Sequence, residues 1–224
     1  MEKKFFFTKE NLLIDTVMSE KLLKKFNQIY KENMCKEKII HTNVLDLRKD
    51  DIIKIPLFLS LLNIIKKKFV LITGYKDLNF EKLWLVSSSS NDSSKTDLPY
   101  IPHIDKLRYF KAMVYLHDVN LEHGPIHLGK VKNATFAEQK RVKLPNDYKE
   151  RGLNTIDDEY LDGNLTPITG KAGDVIFFDT NTPHKAGIIK DSYYRKVLRF
   201  DFERPNFNPK PSILNRIINK IIKK

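Results

Sequence analysis

The chain has a single cysteine, Cys35, so it cannot build an internal disulfide framework and a reducing compartment is expected. Cys35 itself reads as a small apolar filler or a surface thiol. No apolar run approaches the roughly twenty residues that a membrane-spanning helix needs. The N-terminal stretch MEKKFFFTKENLL turns polar directly after its phenylalanines, unlike a secretory signal, and a cytoplasmic location is therefore expected. Acidic residues are the minority charge: 28 against 40 basic ones, a net +12. Such a balance attracts carboxylate, phosphorylated or carrier-linked small molecules, anionic lipid or nucleic acid. Lysine scattered among isoleucine and asparagine also fits a compositional habit of the source. No RNA-recognition, zinc-finger or helix-turn-helix signature is present, so nucleic acid is not an expected partner.

What remains is a chain of 224 residues with 41% hydrophobic content, enough for one packed domain. Residues from about Thr8 to Asn33 carry Leu12, Leu13, Val17, Leu22, Leu23, Phe26 and Tyr30 at helical spacing. A second helical or mixed segment is expected from Asp50 to Lys67, interrupted at Pro56. An N-terminal helical part over 8–67 would thus precede a β-rich core over 69–203. Within that core, Phe69–Gly74 and Leu83–Val86 read as strands. Leu107–Leu116, Gly170–Asp179 and Tyr193–Phe202 do too. Trp84 reads as a core residue, with a place lining the pocket as the alternative. Many short strands between Gly/Pro turns, led by helices, argue for a mainly β fold with flanking helices, a double-stranded jelly roll. Ser87–Asp97 is a polar low-complexity stretch expected to be a linker or a lid. Val131–Thr169 reads as a long irregular excursion. The tail PSILNRIINKIIKK, 211–224, is a basic amphipathic helix. It would dock on its own domain, on a second copy or on anionic lipid.

The chemistry concentrates in two strings, HIDKLRYFKAMVYLHDVNLEHGPIHL and GDVIFFDTNTPHKAG. His103 and Asp105 stand at i and i+2, which project together from an extended backbone. His184 follows a second apolar strand. Two His and one Asp make the ligand set of a facial triad, suited to non-haem Fe(II), although ligand softness alone also admits Mn(II), Co(II) or Zn(II). By parity Tyr109 and Lys111 face the same side as His103 and Asp105. Beyond His184, Arg195 and Arg199 share one side of the last strand.

Together with YYRKVLRFDF, these strings resemble the phytanoyl-CoA dioxygenase-like branch of the Fe(II)/2-oxoglutarate oxygenases, over roughly Pro99 to Phe202. The resemblance implies a cupin-like jelly roll in which His103, Asp105 and His184 hold Fe(II). The cosubstrates would be 2-oxoglutarate and O2, with ascorbate as a reductant. It also implies an arginine on the strand after the distal histidine that grips the far carboxylate of 2-oxoglutarate. Arg195, eleven residues beyond His184, matches that position, with Arg199 as fallback and Lys111 and Tyr109 as further pocket groups. A planar guanidinium pairs with a carboxylate bidentately, which suits this task. The implied reaction is hydroxylation of an unactivated C–H bond in a small, anionic or carrier-linked molecule. One departure stands out: Leu128-Gly129-Lys130-Val131-Lys132 replaces the family's usual Pro-Gly-Ser-His string, which bears on the substrate side of the site. Two competing readings stay open, a non-catalytic jelly-roll binding module and a metal-dependent cupin enzyme that does not use 2-oxoglutarate. Substrate identity and oligomeric state are not encoded in any motif.

Overall fold

The computed structural model describes residues 7–11, 16–34, 44–76, 78–92, 98–133, 135–149 and 151–203. The expected helix at 211–224, Cys35 and the middle of the Ser/Asp stretch at 93–97 lie outside them. Nine strands and four helices are found among the described residues. Strand β1 is Phe7–Asn11, helix α1 Thr16–Met34, β2 Val44–Leu47, α2 Lys49–Ile52 and α3 Pro56–Thr73. Then come β3, Asn79–Ser89, β4, Tyr109–Tyr115, β5, Ile126–Leu128, and helix α4, Phe136–Val142. The chain continues with β6, Thr166–Pro167, β7, Asp174–Asp179, β8, His184–Ala186, and β9, Tyr194–Glu203.

The strands form a six-stranded sheet in the order β1-β7-β4-β9-β3-β2 and a three-stranded sheet in the order β6-β5-β8. Every neighbouring pair is antiparallel. This is the jelly roll that the strand pattern predicts. The large sheet has two different faces because side chains alternate along each strand. Leu83, Leu85, Phe110, Ala112, Val114, Leu198, Phe200 and Phe202 point to the helices and are no more than 1% exposed. There they meet Leu22 and Phe26 of α1 and Phe58, Leu61, Ile65 and Phe69 of α3 in one core. A second, smaller core lies between the sheets, where Tyr115, Ile176, Phe178 and Val197 pack on Ile126 and Leu128.

Several expectations need correction. Phe69–Gly74 is not a strand: residues 69–73 are the last turn of α3, because Phe69 continues the stripe of Phe58, Leu62 and Ile65 at helical spacing. Pro56 does not interrupt that helix but opens it from the first turn, where its missing N–H costs nothing. Gly74, at φ 76°, closes it in the left-handed conformation. Thr8–Asn11 is not a helix start either. It pairs with β7 as an edge strand, Thr8 opposite Phe177 and Glu10 opposite Val175. The region 8–67 therefore contributes β1 and β2 to the sheet as well as helices. Ser87–Ser89 completes β3, with Ser88 buried, so the polar stretch is no linker at its start. Trp84 faces the space between the sheets rather than the helical core, and is partly exposed.

Candidate metal centre

The site is built where the chain entering β4 runs alongside β8. His103 and His184 exchange both backbone hydrogen bonds, each 3.0 Å, the closed ring of an antiparallel pair. Their imidazoles lie side by side with ring centroids 4.4 Å apart. Asp105 projects toward the same point, its Oδ2 3.8 Å from Nε2 of His184. Ligand atoms of His103, Asp105 and His184 all lie within 4.8 Å of one another, and no other such group of three or more occurs among the described residues.

The orientation of each ring follows from its own strand. Nδ1 of His103 is 2.9 Å from the Ile101 carbonyl and Nδ1 of His184 is 2.9 Å from the Thr182 carbonyl. A carbonyl only accepts, so Nδ1 carries the proton in both rings and the lone pair is left on Nε2. That is the arrangement a metal-binding histidine needs, with a second partner fixing the tautomer. Burial holds both imidazoles below their ordinary range, most strongly His184, which the neighbouring His103 lowers further. Burial tends to raise the Asp105 carboxyl, but the Lys111 ammonium and then the two histidines outweigh it and hold it far below the usual carboxylate range. The set presents two neutral nitrogens and one carboxylate, a donor combination that suits a borderline divalent cation.

Lys111 lies on the inward side of β4, as parity predicts, and is engaged: its Nζ donates to Asp105 Oδ2 at 2.5 Å. Tyr109 shares that side, but burial and the nearby acids Glu81, Asp201 and Glu203 push its phenol pKa up. Those acids make its surroundings unfavourable to a further carboxylate.

The two arginines of β9 differ in their partners. Arg199 is paired through Nε and Nη2 with Asp201 at 3.0 and 3.1 Å, and its guanidinium lies 4.5 Å from the Trp84 ring centroid. Arg195 is 6% exposed, yet its Nε and Nη1 have no hydrogen-bond partner. Burial pulls the guanidinium's pKa down, opposed by the hydroxyls of Tyr115 and Tyr100. A buried cation with two bare donors is costly unless an anion joins it. Arg195 stands opposite Ser88 of β3, and its charge is felt at His127 of β5, the neighbour of Leu128, which pairs with His184.

The inward faces of the central strands are not sealed. Lys82, Trp84 and Val86 of β3, Tyr109 and Met113 of β4 and Arg199 of β9 are all partly exposed. They line the inward face of the large sheet, and the Arg199 charge is felt at His103. Both Lys82 and Arg199 approach the Trp84 ring, Lys82 Nζ at 4.3 Å from its centroid.

The other histidines play other parts. His117 Nδ1 donates to the Asp118 carbonyl at 2.8 Å and its Nε2 accepts from the Lys196 N–H at 3.1 Å. His123 packs beside His117, Tyr193 and Tyr194, and His127 donates to its own Pro125 carbonyl at 3.0 Å. Sequence reasoning missed a set of residues around the His103–Asp105 ledge: Arg108, Glu138, Arg141 and Asn154. Arg108, 1% exposed, is bidentate to Asp179, with Nη2 to Oδ2 at 2.9 Å, and reaches Glu138 at 2.8 Å through Nη1. No local motif marks these residues, because their partners lie 30 to 71 positions away.

The family model of phytanoyl-CoA dioxygenase (PhyH) matches residues 94–197. No curated protein matches the sequence. Among solved structures, the epimerase SnoN, in complex with Fe3+, alpha ketoglutarate and nogalamycin RO, superposes with a TM-score of 0.58 at 16% identity, covering 95% of this chain and 87% of SnoN. The non-heme alpha ketoglutarate dependent carbocyclase SnoK from nogalamycin biosynthesis gives 0.59 at 15% identity, over 94% and 85%. HygX from Streptomyces hygroscopicus, with nickel and 2-oxoglutarate bound, gives 0.54 at 13% identity, over 89% and 83%. Identities this low show a shared fold. Residues 94–197 are thus similar to the phytanoyl-CoA dioxygenase family, on a fold shared with these enzymes.

Proposed function

We propose that the protein is an Fe(II)- and 2-oxoglutarate-dependent oxygenase that hydroxylates an unactivated C–H bond of a small molecule. The observation that carries this reading is the three-ligand cluster joined by Arg195, whose buried Nε and Nη1 have no partner and which shares a side of β9 with Val197 of the inter-sheet core. A metal-dependent cupin that does not use 2-oxoglutarate would leave Arg195 as an uncompensated buried charge. A non-catalytic module would have no use for two tautomer-fixed histidines converging on a carboxylate.

In this reading His103, Asp105 and His184 would hold the metal and leave room for further ligands. Bound there, Fe(II) with 2-oxoglutarate and O2 supplies the oxidising power, at the expense of decarboxylating the cosubstrate to succinate. The chain's own residues bind and orient. Arg195 takes the distal carboxylate as a bidentate pair, a match of fork to fork that lysine cannot reproduce. Lys111 steadies the Asp105 carboxylate, and the buried cluster of Ile126, Leu128, Ile176, Phe178 and Val197 keeps water from the space between the sheets. Substrate enters along the partly open wall of Trp84, Val86, Met113 and Arg199.

The test is succinate release from 2-oxoglutarate with Fe(II), ascorbate and O2, with candidate small acids and with the substrate-free, uncoupled reaction. Wild type turns over, whereas His103→Ala and Asp105→Ala do not. A product carrying one added oxygen atom identifies hydroxylation. Equal rates in wild type and His103→Ala would contradict the reading.

A further inference from the structure

The ledge that carries His103 and Asp105 is not a strand, yet its backbone is held nearly atom by atom. The Pro102 carbonyl accepts from Ile156 N at 2.8 Å and the His103 carbonyl from His184 N at 3.0 Å. The Ile104 carbonyl accepts from Asn154 Nδ2 at 3.0 Å, and the Asp105 carbonyl from Arg141 Nε at 2.9 Å. Ile156, Asn154 and Arg141 all come from residues 131–169, the excursion that looks irregular in sequence. That segment folds back over the ledge and supplies the donors the ledge would otherwise find in a neighbouring strand.

Arg141 is the member of this set that touches the carboxylate ligand's own peptide unit. We propose that Arg141 is a positioning residue for Asp105, a role that rests on the reading of His103, Asp105 and His184 as metal ligands. Arg141 and Glu138 stand three apart on α4 and so share one face of the helix. Glu138 is tied to Arg108 Nη1 at 2.8 Å, and Arg108 in turn is clamped to the fully buried Asp179 at the end of β7. This anchors α4 against the sheet, so the Arg141 side chain reaches the ledge from a fixed base. Its Nη2 also lies 3.4 Å from the carbonyl of Thr180. The hydroxyl of Thr180 donates to the Leu107 carbonyl at 3.2 Å. Asp105 is thereby gripped from two sides: its backbone by Arg141 and its carboxylate by Lys111. A carboxylate that must offer one oxygen to a metal at a set angle depends on both.

Partners one step removed from a metal typically change its affinity by roughly 10- to 100-fold when lost. The test uses Co(II) alone as the probe, added without oxygen to the full chain, and reads both the dissociation constant and the visible ligand-field spectrum. Arg141→Met is expected to weaken Co(II) binding by roughly 10-fold or more and to alter the spectrum. Arg141→Lys, which keeps charge and a donor but not the planar fork, is expected to fall between Met and wild type. The lysine variant carries the test by itself should the methionine variant fail to fold. Wild-type affinity and an unchanged spectrum in Arg141→Lys and in any folded Arg141→Met would overturn the proposal while leaving the metal centre standing. If wild type and His103→Ala bind Co(II) alike, the metal centre and the proposal fall together.

Discussion

At the scale of single residues, Arg195 makes opposite demands on stability and on binding. Its two bare donors are a liability in the ligand-free fold and, in the proposed function, an asset once a dicarboxylate arrives. Arg195→Ala is therefore expected to raise the half-saturating 2-oxoglutarate concentration about 100-fold, the loss of a charge-assisted pair worth ~3 kcal/mol. The same change should leave the ligand-free melting temperature at or above wild type, because it removes an uncompensated buried charge. Steady-state kinetics and calorimetry check the two halves separately, and a melting temperature that drops sharply would argue for a merely structural arginine. His117 gives a pH dependence. Burial lowers its pKa, and its Nε2 must stay unprotonated to accept from Lys196 N–H. The unfolded chain takes up that proton first, near pH 6.5. Its contribution to stability is thus complete above that pH and is lost as pH falls from there toward the lower folded value. NMR titration should find His117 below 6.5, and denaturation midpoints for His117→Gln should depend less on pH between 5 and 7 than those of wild type.

At the scale of elements, the fold was legible where pattern and neighbours agree. Strands β4, β7 and β9 alternate or run apolar in a way that only a buried sheet satisfies. The His-x-Asp step and the histidine after β7 could be read directly. Misreadings arose where a distant partner decided the outcome. FVLIT at residues 69–73 has β-branched and aromatic character, yet it is helix because Phe69 must reach Phe110, Phe177 and Phe202 across the sheet. Phe7–Asn11 is strand because β7 offers it an edge 171 positions away, from Phe7 to Phe178. Arg141 and Asn154 escape sequence reading for the same reason, since their partners on the ledge lie 36 and 50 positions off. Two substitutions test these elements. Phe69→Ala should cost about 3–5 kcal/mol in denaturant unfolding, the usual loss for a fully buried ring. Gly124→Ala should cost about 2 kcal/mol or more. Its φ is +62°, and a Cβ there would run into the Gly187 carbonyl oxygen, where the turn before β5 meets the strand carrying His184.

At the scale of the whole molecule, a helix-backed six-stranded sheet packs against a three-stranded one. The chain carries a net charge of +12, so on-rates for an anionic cosubstrate should fall as salt rises. No helix among the described residues is long and apolar enough to cross a membrane. Ligands that bind only the folded state stabilise it by mass action, about 2.7 kcal/mol at a hundredfold excess over Kd. Adding Co(II) and 2-oxoglutarate together should therefore raise the melting temperature by about 5 °C or more, and neither His184→Ala nor Asp105→Ala should respond. The most direct test of the central claim is optical. Fe(II) is added to the protein under argon, followed by 2-oxoglutarate, and the visible charge-transfer absorption of an iron-bound 2-oxo acid is recorded. The account predicts that this absorption grows in wild type, requires His103, Asp105 and His184, and needs far more 2-oxoglutarate in Arg195→Ala. No absorption in wild type, or the same absorption after His184→Ala, would contradict it.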